Sequence, residues 1–107
     1  MERMKHKGEL SEKLRTARLL VVQFGAASCT PCTAIRQKLD SWLDEYGQAE
    51  GLYVPIDEFP EAAAEQGIFT VPAVLVFAEG RLTVRESGCF SLEDVLRRAE
   101  RYRKLME

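Results

Sequence analysis

Leu19 to Phe24 is a nearly continuous apolar run closed by Gly25, and no other stretch restricts the possible folds as much. A run that short and that apolar, bounded by a turn residue, reads as a buried strand. Next comes Cys29-Thr30-Pro31-Cys32, and from Pro31 onward Ile35, Leu39, Trp42, Leu43 and Tyr46 recur at helical spacing until Gly47. Pro31 suits the first position of a helix, and Gly47 suits its end. A buried strand therefore feeds into an amphipathic helix of about four turns. Strands separated by such a helix must pair in parallel, because the helix serves as the crossover.

The remaining elements follow from spacing and turn residues. Leu10, Leu14 and Ala17 suggest a short helix before the apolar run, whereas residues 1–7 are polar, show no strand pattern and are expected to fray. Leu52 to Asp57 reads as a second strand. Pro55 within it cannot donate to a ladder, which places this strand at the sheet margin. Pro60 to Gln66, with three consecutive alanines, is a short helix closed by Gly67. Ala73 to Phe77 and Leu82 to Ser87 are strands joined at Glu79-Gly80 by a tight antiparallel hairpin. Ser91 followed by Asp94 resembles a capping box, and Leu92, Val95, Leu96, Ala99 and Tyr102 line one face of a last helix. The order α-β-α-β-α-β-β-α predicts an α/β fold with a mixed sheet between two layers of helices.

With 107 residues and no repeat or linker, the chain is expected to form a single domain over residues 1–107. Its 15 basic and 17 acidic residues leave a net charge of -2, so no long-range field draws in nucleic acid or anionic lipid. No apolar run approaches the roughly 20 residues that span a bilayer, and Met1 to Glu9 is too polar for a signal peptide. A cytoplasmic protein with neither membrane nor nucleic acid as partner is expected. The three cysteines are too few, and odd in number, for a disulfide framework; a Cys-x-x-Cys pair in a reducing compartment points to redox chemistry or metal.

Position decides between those two. Cys29 stands where the apolar strand meets the long helix, and the free N–H groups and positive dipole end of a helix start favour a thiolate, the form that attacks disulfides. Cys32, one turn into the helix, should be the more covered. The expected chemistry is attack by Cys29, a mixed disulfide with the substrate, and release by Cys32. Zinc would need about four ligands, and the only further candidates, Cys89 and His6, are poorly spaced for it. No metal is expected. Cys89 by itself reads as a small core or loop residue, and His6 as exposed. Trp42 and Tyr46 read as core. Arg97, Arg98, Arg101, Arg103 and Lys104 alternate with Glu93, Asp94, Glu100 and Glu107, as on a solvated helix face.

The stretch from Val21 through Gln23 and Ser28 to Cys32 resembles the active-site segment of thioredoxins. Thr70-Val71-Pro72-Ala73-Val74-Leu75-Val76-Phe77, followed by Glu79-Gly80, resembles that family's cis-proline strand, and Pro55-Ile56-Asp57 a third family segment. The resemblance implies a thioredoxin fold, a central mixed sheet of four strands, or five if the family's first strand is present, flanked by helices on both faces. It further implies a cis Pro72 against Cys29, with the Val71 backbone open to an extended substrate peptide. Thr30, Pro31, Gly88 and Cys89 would border the same groove. A redox-active Cys29–Cys32 disulfide would be the working group, with no other cofactor. Protein disulfides would be the substrates of a monomer recharged by a thioredoxin-reductase-like donor. Four positions depart from the family. Ser28 replaces a Trp, Thr30 a Gly, Gln23 a buried Asp and Tyr53 a Lys. Because Gln cannot act as a base, the likeness does not extend to the family's proton relay. Ser28, Gln23 and the odd Cys89 support a second expectation, a thioredoxin-fold adaptor that binds or senses redox state without turnover.

Overall fold

The structure, a computed structural model, describes residues 1–106. Its elements are β1 (Glu2–Arg3), α1 (Glu9–Thr16), β2 (Leu19–Gly25), α2 (Thr30–Glu45), β3 (Glu50–Pro55), α3 (Pro60–Glu65), β4 (Ala73–Ala78), β5 (Arg81–Ser87) and α4 (Leu92–Leu105). The sheet has the order β1-β3-β2-β4-β5. β1 and β2 flank β3 in parallel, while β4 runs antiparallel to both β2 and β5.

Every residue of β2 is buried, which accounts for an apolar run broken only by Gln23. Alternate side chains then serve two cores. Leu20, Val22 and Phe24 face a layer made by Leu10 of α1 and Ala62 and Ala63 of α3, together with Leu52, Val54 and Leu75 of the sheet. Leu19 and Val21 face the opposite way, toward Leu39 and Trp42 of α2 and Val95 and Ala99 of α4. Burying each such Leu or Val contributes about 1.5–3 kcal/mol, which fixes the strand register on both faces. The hairpin closes through Glu79 and Gly80, both at positive φ (51° and 79°), the primed turn that matches strand twist. At the start of α4 the Ser91 hydroxyl accepts from the Asp94 N–H at 3.2 Å, as the capping pattern implies.

The start of the chain corrects two expectations. Residues 1–7 are not simply frayed: Glu2 and Arg3 pair in register with Leu52 and Tyr53, and the Met4 N–H donates to the Tyr53 carbonyl at 2.8 Å. Met4 is completely buried. The sheet therefore has five strands, and the strand read over 52–57 begins earlier, at Glu50, and lies one place in from the edge. Pro55 is tolerated for a related reason. Val54 and Ile56 direct their polar groups toward β2, where the Ile56 N–H donates to the Gly25 carbonyl at 2.9 Å. Pro55 faces the other flank, beyond the last residue of β1, where no strand needs its N–H.

Lys13 of α1 ties this corner together by reaching Glu50 at 3.1 Å and Glu2 at 3.2 Å. The hydrogen bond to Glu50 raises the Lys13 pKa above its ordinary value, against the opposing effect of burial.

Candidate active site

Strand register assembles the site. Gly25 stands opposite Pro55 on one side, and Phe24 stands opposite Ala73 on the other. Ala73 in turn pairs with Ser87 of β5. The residues just past these pairs, Ala26 to Cys29, Pro72 and Gly88, are thus gathered at one end of the sheet.

Cys29 is the N-cap of α2, in extended conformation, and its N–H donates to the Ala26 carbonyl at 3.0 Å. The helix begins at Thr30, so Pro31 occupies its second position rather than the first, still within the turn whose N–H groups lack helical partners. No acidic residue lies in that first turn to offset the positive helix end. Cys29 and Cys32 are joined in a disulfide with their Cα atoms 5.4 Å apart. Cys29 is half-buried, and Cys32 is 3% exposed. Ser28, Thr30 and Pro31 lie exposed around the sulfur pair. One cysteine can meet a partner, whereas the other can meet only its neighbour.

Gln23 is the one polar residue among the fully buried side chains of the described chain. Its Nε2 donates to the Cys32 carbonyl at 2.9 Å, and its Oε1 has no protein partner. It joins β2 directly to the first turn of α2. Tyr53 stands opposite it on β3. The Tyr53 ring lies across Gly25, so close that a Cβ there would stand 2.6 Å from the phenol oxygen and 2.9 Å from Cε1. The outer face of the same ring carries the Arg36 guanidinium, 4.3 Å from the ring centroid.

At the same end of the sheet, the Val71–Pro72 peptide bond is cis. The Pro72 carbonyl accepts from the Gly88 N–H at 2.8 Å, which holds the 88–89 loop against Pro72. Cys89 is a free thiol in that loop and is exposed, so it is not a core residue. Phe69, two residues before Val71, is 78% exposed.

The sequence-derived candidates Gln23, Ser28, Cys29, Thr30, Pro31, Cys32, Val71, Pro72, Gly88 and Cys89 therefore fall in segments that meet at this end of the sheet. His6 does not; it lies beside Glu12 of α1, at 3.9 Å. Among the described residues no group of three or more His, Cys, Asp or Glu side chains is placed to hold a metal ion, and no helix is long and apolar enough to cross a membrane. The Gly25–Tyr53–Arg36 stack and Arg85, whose contacts bear on the Val71 segment, were not visible from spacing. Each depends on contacts between residues far apart in sequence, with no local motif to mark them.

A thioredoxin family model matches residues 3–101. Thioredoxin-2 of Pyricularia oryzae is 31% identical over 72 residues, which is 67% of this chain and 42% of that protein. Thioredoxin-1 of Schizosaccharomyces pombe is 35% identical over 63 residues, 59% of this chain and 61% of its own length. The matches thus span less than two thirds of either relative. Among solved structures, Fasciola hepatica thioredoxin superposes with a TM-score of 0.85 at 26% identity, covering 95% of this chain and 99% of that one. The oxidised thioredoxin of Plasmodium falciparum gives 0.84 at 20% identity, covering 95% and 97%.

Proposed function

The chain belongs to the thioredoxin family, and from that premise we propose that it is a thiol–disulfide oxidoreductase that reduces protein disulfides through Cys29 and Cys32. The observation that carries this reading is the unequal exposure of two bonded cysteines at the start of α2.

In the reduced protein the helix end favours the Cys29 thiolate. Its sulfur attacks one sulfur of the substrate disulfide. The substrate S–S bond breaks, a Cys29–substrate disulfide forms, and the first substrate sulfur leaves as a thiolate that takes a proton from solvent. Cys32 then attacks the Cys29 sulfur. The mixed disulfide breaks, the second substrate sulfur departs, and the proton given up by Cys32 replaces the lost bond on it. Two electrons pass to the substrate, and the protein is left with the Cys29–Cys32 disulfide present in this structure. An external dithiol must supply the electrons for the next cycle.

Gln23 serves the second step only as a neutral group. By donating to the Cys32 carbonyl it holds the first turn of α2 against β2, but an amide takes no proton. Release of the mixed disulfide therefore depends on solvent or on the leaving thiolate for that transfer. Val71 and Pro72 form one wall of the substrate groove, Gly88 and Cys89 border it, and Thr30 and Pro31 lie across from them beside Ser28. The substrates are extended segments of disulfide-bearing proteins, and the donor is a dithiol of the thioredoxin-reductase kind. A reducing compartment such as the cytoplasm suits that cycle, and a single domain acting as a monomer suffices for it.

Insulin reduction with dithiothreitol as electron source tests the proposal. The protein accelerates precipitation of the insulin chains, and Cys29→Ser abolishes the acceleration. No acceleration by the wild-type protein supports the non-catalytic adaptor, and full activity in Cys29→Ser refutes the assignment of the nucleophile.

A further inference from the structure

The segment between α3 and β4 contains Val71 and Pro72, and hydrogen bonds hold it at both ends but not in the middle. At its start α3 ends in a tight turn. Ile68 N–H donates to the Ala63 carbonyl at 2.8 Å and Gly67 N–H to Ala64 at 2.9 Å, with Gly67 in the left-handed region at φ 70°. This arrangement satisfies two of the carbonyls that a helix leaves over. Two carbonyls just past the helix end are satisfied from outside. Arg85, on β5, donates from Nη1 to the Gln66 carbonyl at 2.6 Å and from Nη2 to the Gly67 carbonyl at 2.7 Å.

At the far end of the segment the Gly88 N–H holds the Pro72 carbonyl. Between these anchors Phe69, Thr70 and Val71 make no backbone hydrogen bond to any described residue. Ile68 and the Val71 side chain pack on the core beneath, so the backbone of Val71 is set by that packing, by the Gly88–Pro72 contact and by one polar side chain, Arg85. Its planar fork matches two successive carbonyls at once, and its positive charge lies at the negative end of the helix. A lysine could meet that charge but could not span both oxygens in a fixed plane.

We infer that Arg85 is a positioning residue for the peptide groove, fixing the 66–72 segment so that the Val71 backbone stands ready to pair with an extended substrate. The inference rests on the reading of Val71 and Pro72 as the groove wall. Arg85 touches no reacting atom, so its effect falls on binding of peptides rather than on thiol chemistry.

Arg85→Ala and Arg85→Lys, made in the whole chain, test this with two disulfides. Insulin needs the groove, whereas bis-hydroxyethyl disulfide has no peptide backbone to pair. For Arg85→Ala the KM for insulin should rise about tenfold, equivalent to ~1.4 kcal/mol, with kcat and the rate on the small disulfide unchanged. Arg85→Lys should recover part of the insulin KM. NMR relaxation of the backbone amides should show larger fast motion at residues 68–71 in Arg85→Ala than in the wild type. An unchanged insulin KM, or equal losses with both disulfides, overturns the positioning role. Unchanged relaxation at residues 68–71 overturns the clamp itself. If the wild-type protein reduces neither disulfide, the oxidoreductase reading fails, and the relaxation comparison still decides whether Arg85 holds the segment.

Discussion

Adding one methyl group at Gly25 sets the strand against the ring that crosses it. The Cβ of Gly25→Ala would lie 2.6 Å from the Tyr53 hydroxyl oxygen, 2.9 Å from Cε1 and 3.0 Å from Cζ, all inside the 3.5–4.0 Å at which carbon atoms attract one another. The ring has to move, yet it is 9% exposed and the Arg36 guanidinium lies on it, 4.3 Å from its centroid. Overpacking of this kind costs about 1–3 kcal/mol. Alanine also restricts the unfolded chain, which offsets about 0.4–1 kcal/mol. The net loss should be about 1–2 kcal/mol, lowering Tm by about 4–8 °C for each kcal/mol in a domain of this size. Urea unfolding followed by circular dichroism gives the number directly. The decisive arm is a cycle with Tyr53→Leu. If the ring is the obstacle, the double variant loses less than the sum of the singles, by an amount within the usual coupling of about 0.5–3 kcal/mol for touching residues. Strict additivity would refute the steric argument and leave the loss to the strand itself.

Gln23→Asp is expected to speed release of the mixed disulfide by about tenfold or more, because a carboxylate can take the Cys32 proton that the amide leaves in place; quenched-flow measurement giving an unchanged or slower step rejects this. Glu100 is hydrogen-bonded to Arg103, at 2.5 Å for the shortest contact, and this holds its carboxyl below the ordinary value. A depressed pKa contributes stability that is present above the unfolded value of about 4.5 and lost as pH falls through the folded one. Urea midpoints of Glu100→Gln should therefore fall less steeply than those of the wild type between about pH 5 and pH 3. Parallel slopes would show that the pair contributes nothing to acid stability.

The elements whose burial repeats at a fixed period were legible before any coordinates. β2 is wholly buried and reads as an apolar run, while Leu39 and Trp42 on α2 and Val95 and Ala99 on α4 fall at helical spacing on buried faces. β1 was not legible. Its two residues, Glu2 and Arg3, are exposed and polar, and the strand exists only through backbone pairing with β3. Met4 was the clue that could have been weighed, an apolar side chain in a polar stretch that proves fully buried. The inference from Pro55 was sound in kind, since a missing N–H does need a vacant flank; the vacancy is local to the last residue of β3 and does not extend along the strand.

The candidate site divides in the same way. Cys29, Cys32 and Pro72 lie in compact motifs at recognisable offsets, so a linear reading reaches them. The Gly25–Tyr53–Arg36 stack requires knowing that β2 and β3 pair with Gln23 opposite Tyr53. The Arg85 fork requires knowing that β5 passes the end of α3. In both, no local pattern marks the residues, and only the register between distant segments gives them a partner.

Trp42 is the only indole in the chain. It lies on α2 roughly 15 Å along the helix axis from Cys32, packed against Tyr46 with ring centroids 5.0 Å apart, and Ser28 holds the place where the family sets a Trp beside its sulfurs. Intrinsic emission from this protein is therefore a nearly pure gauge of global unfolding, scarcely altered when the dithiol opens or closes. Unfolding of the oxidised and reduced forms can be compared on one fluorescence scale, without the baseline change that a light-absorbing neighbour at the sulfurs would impose.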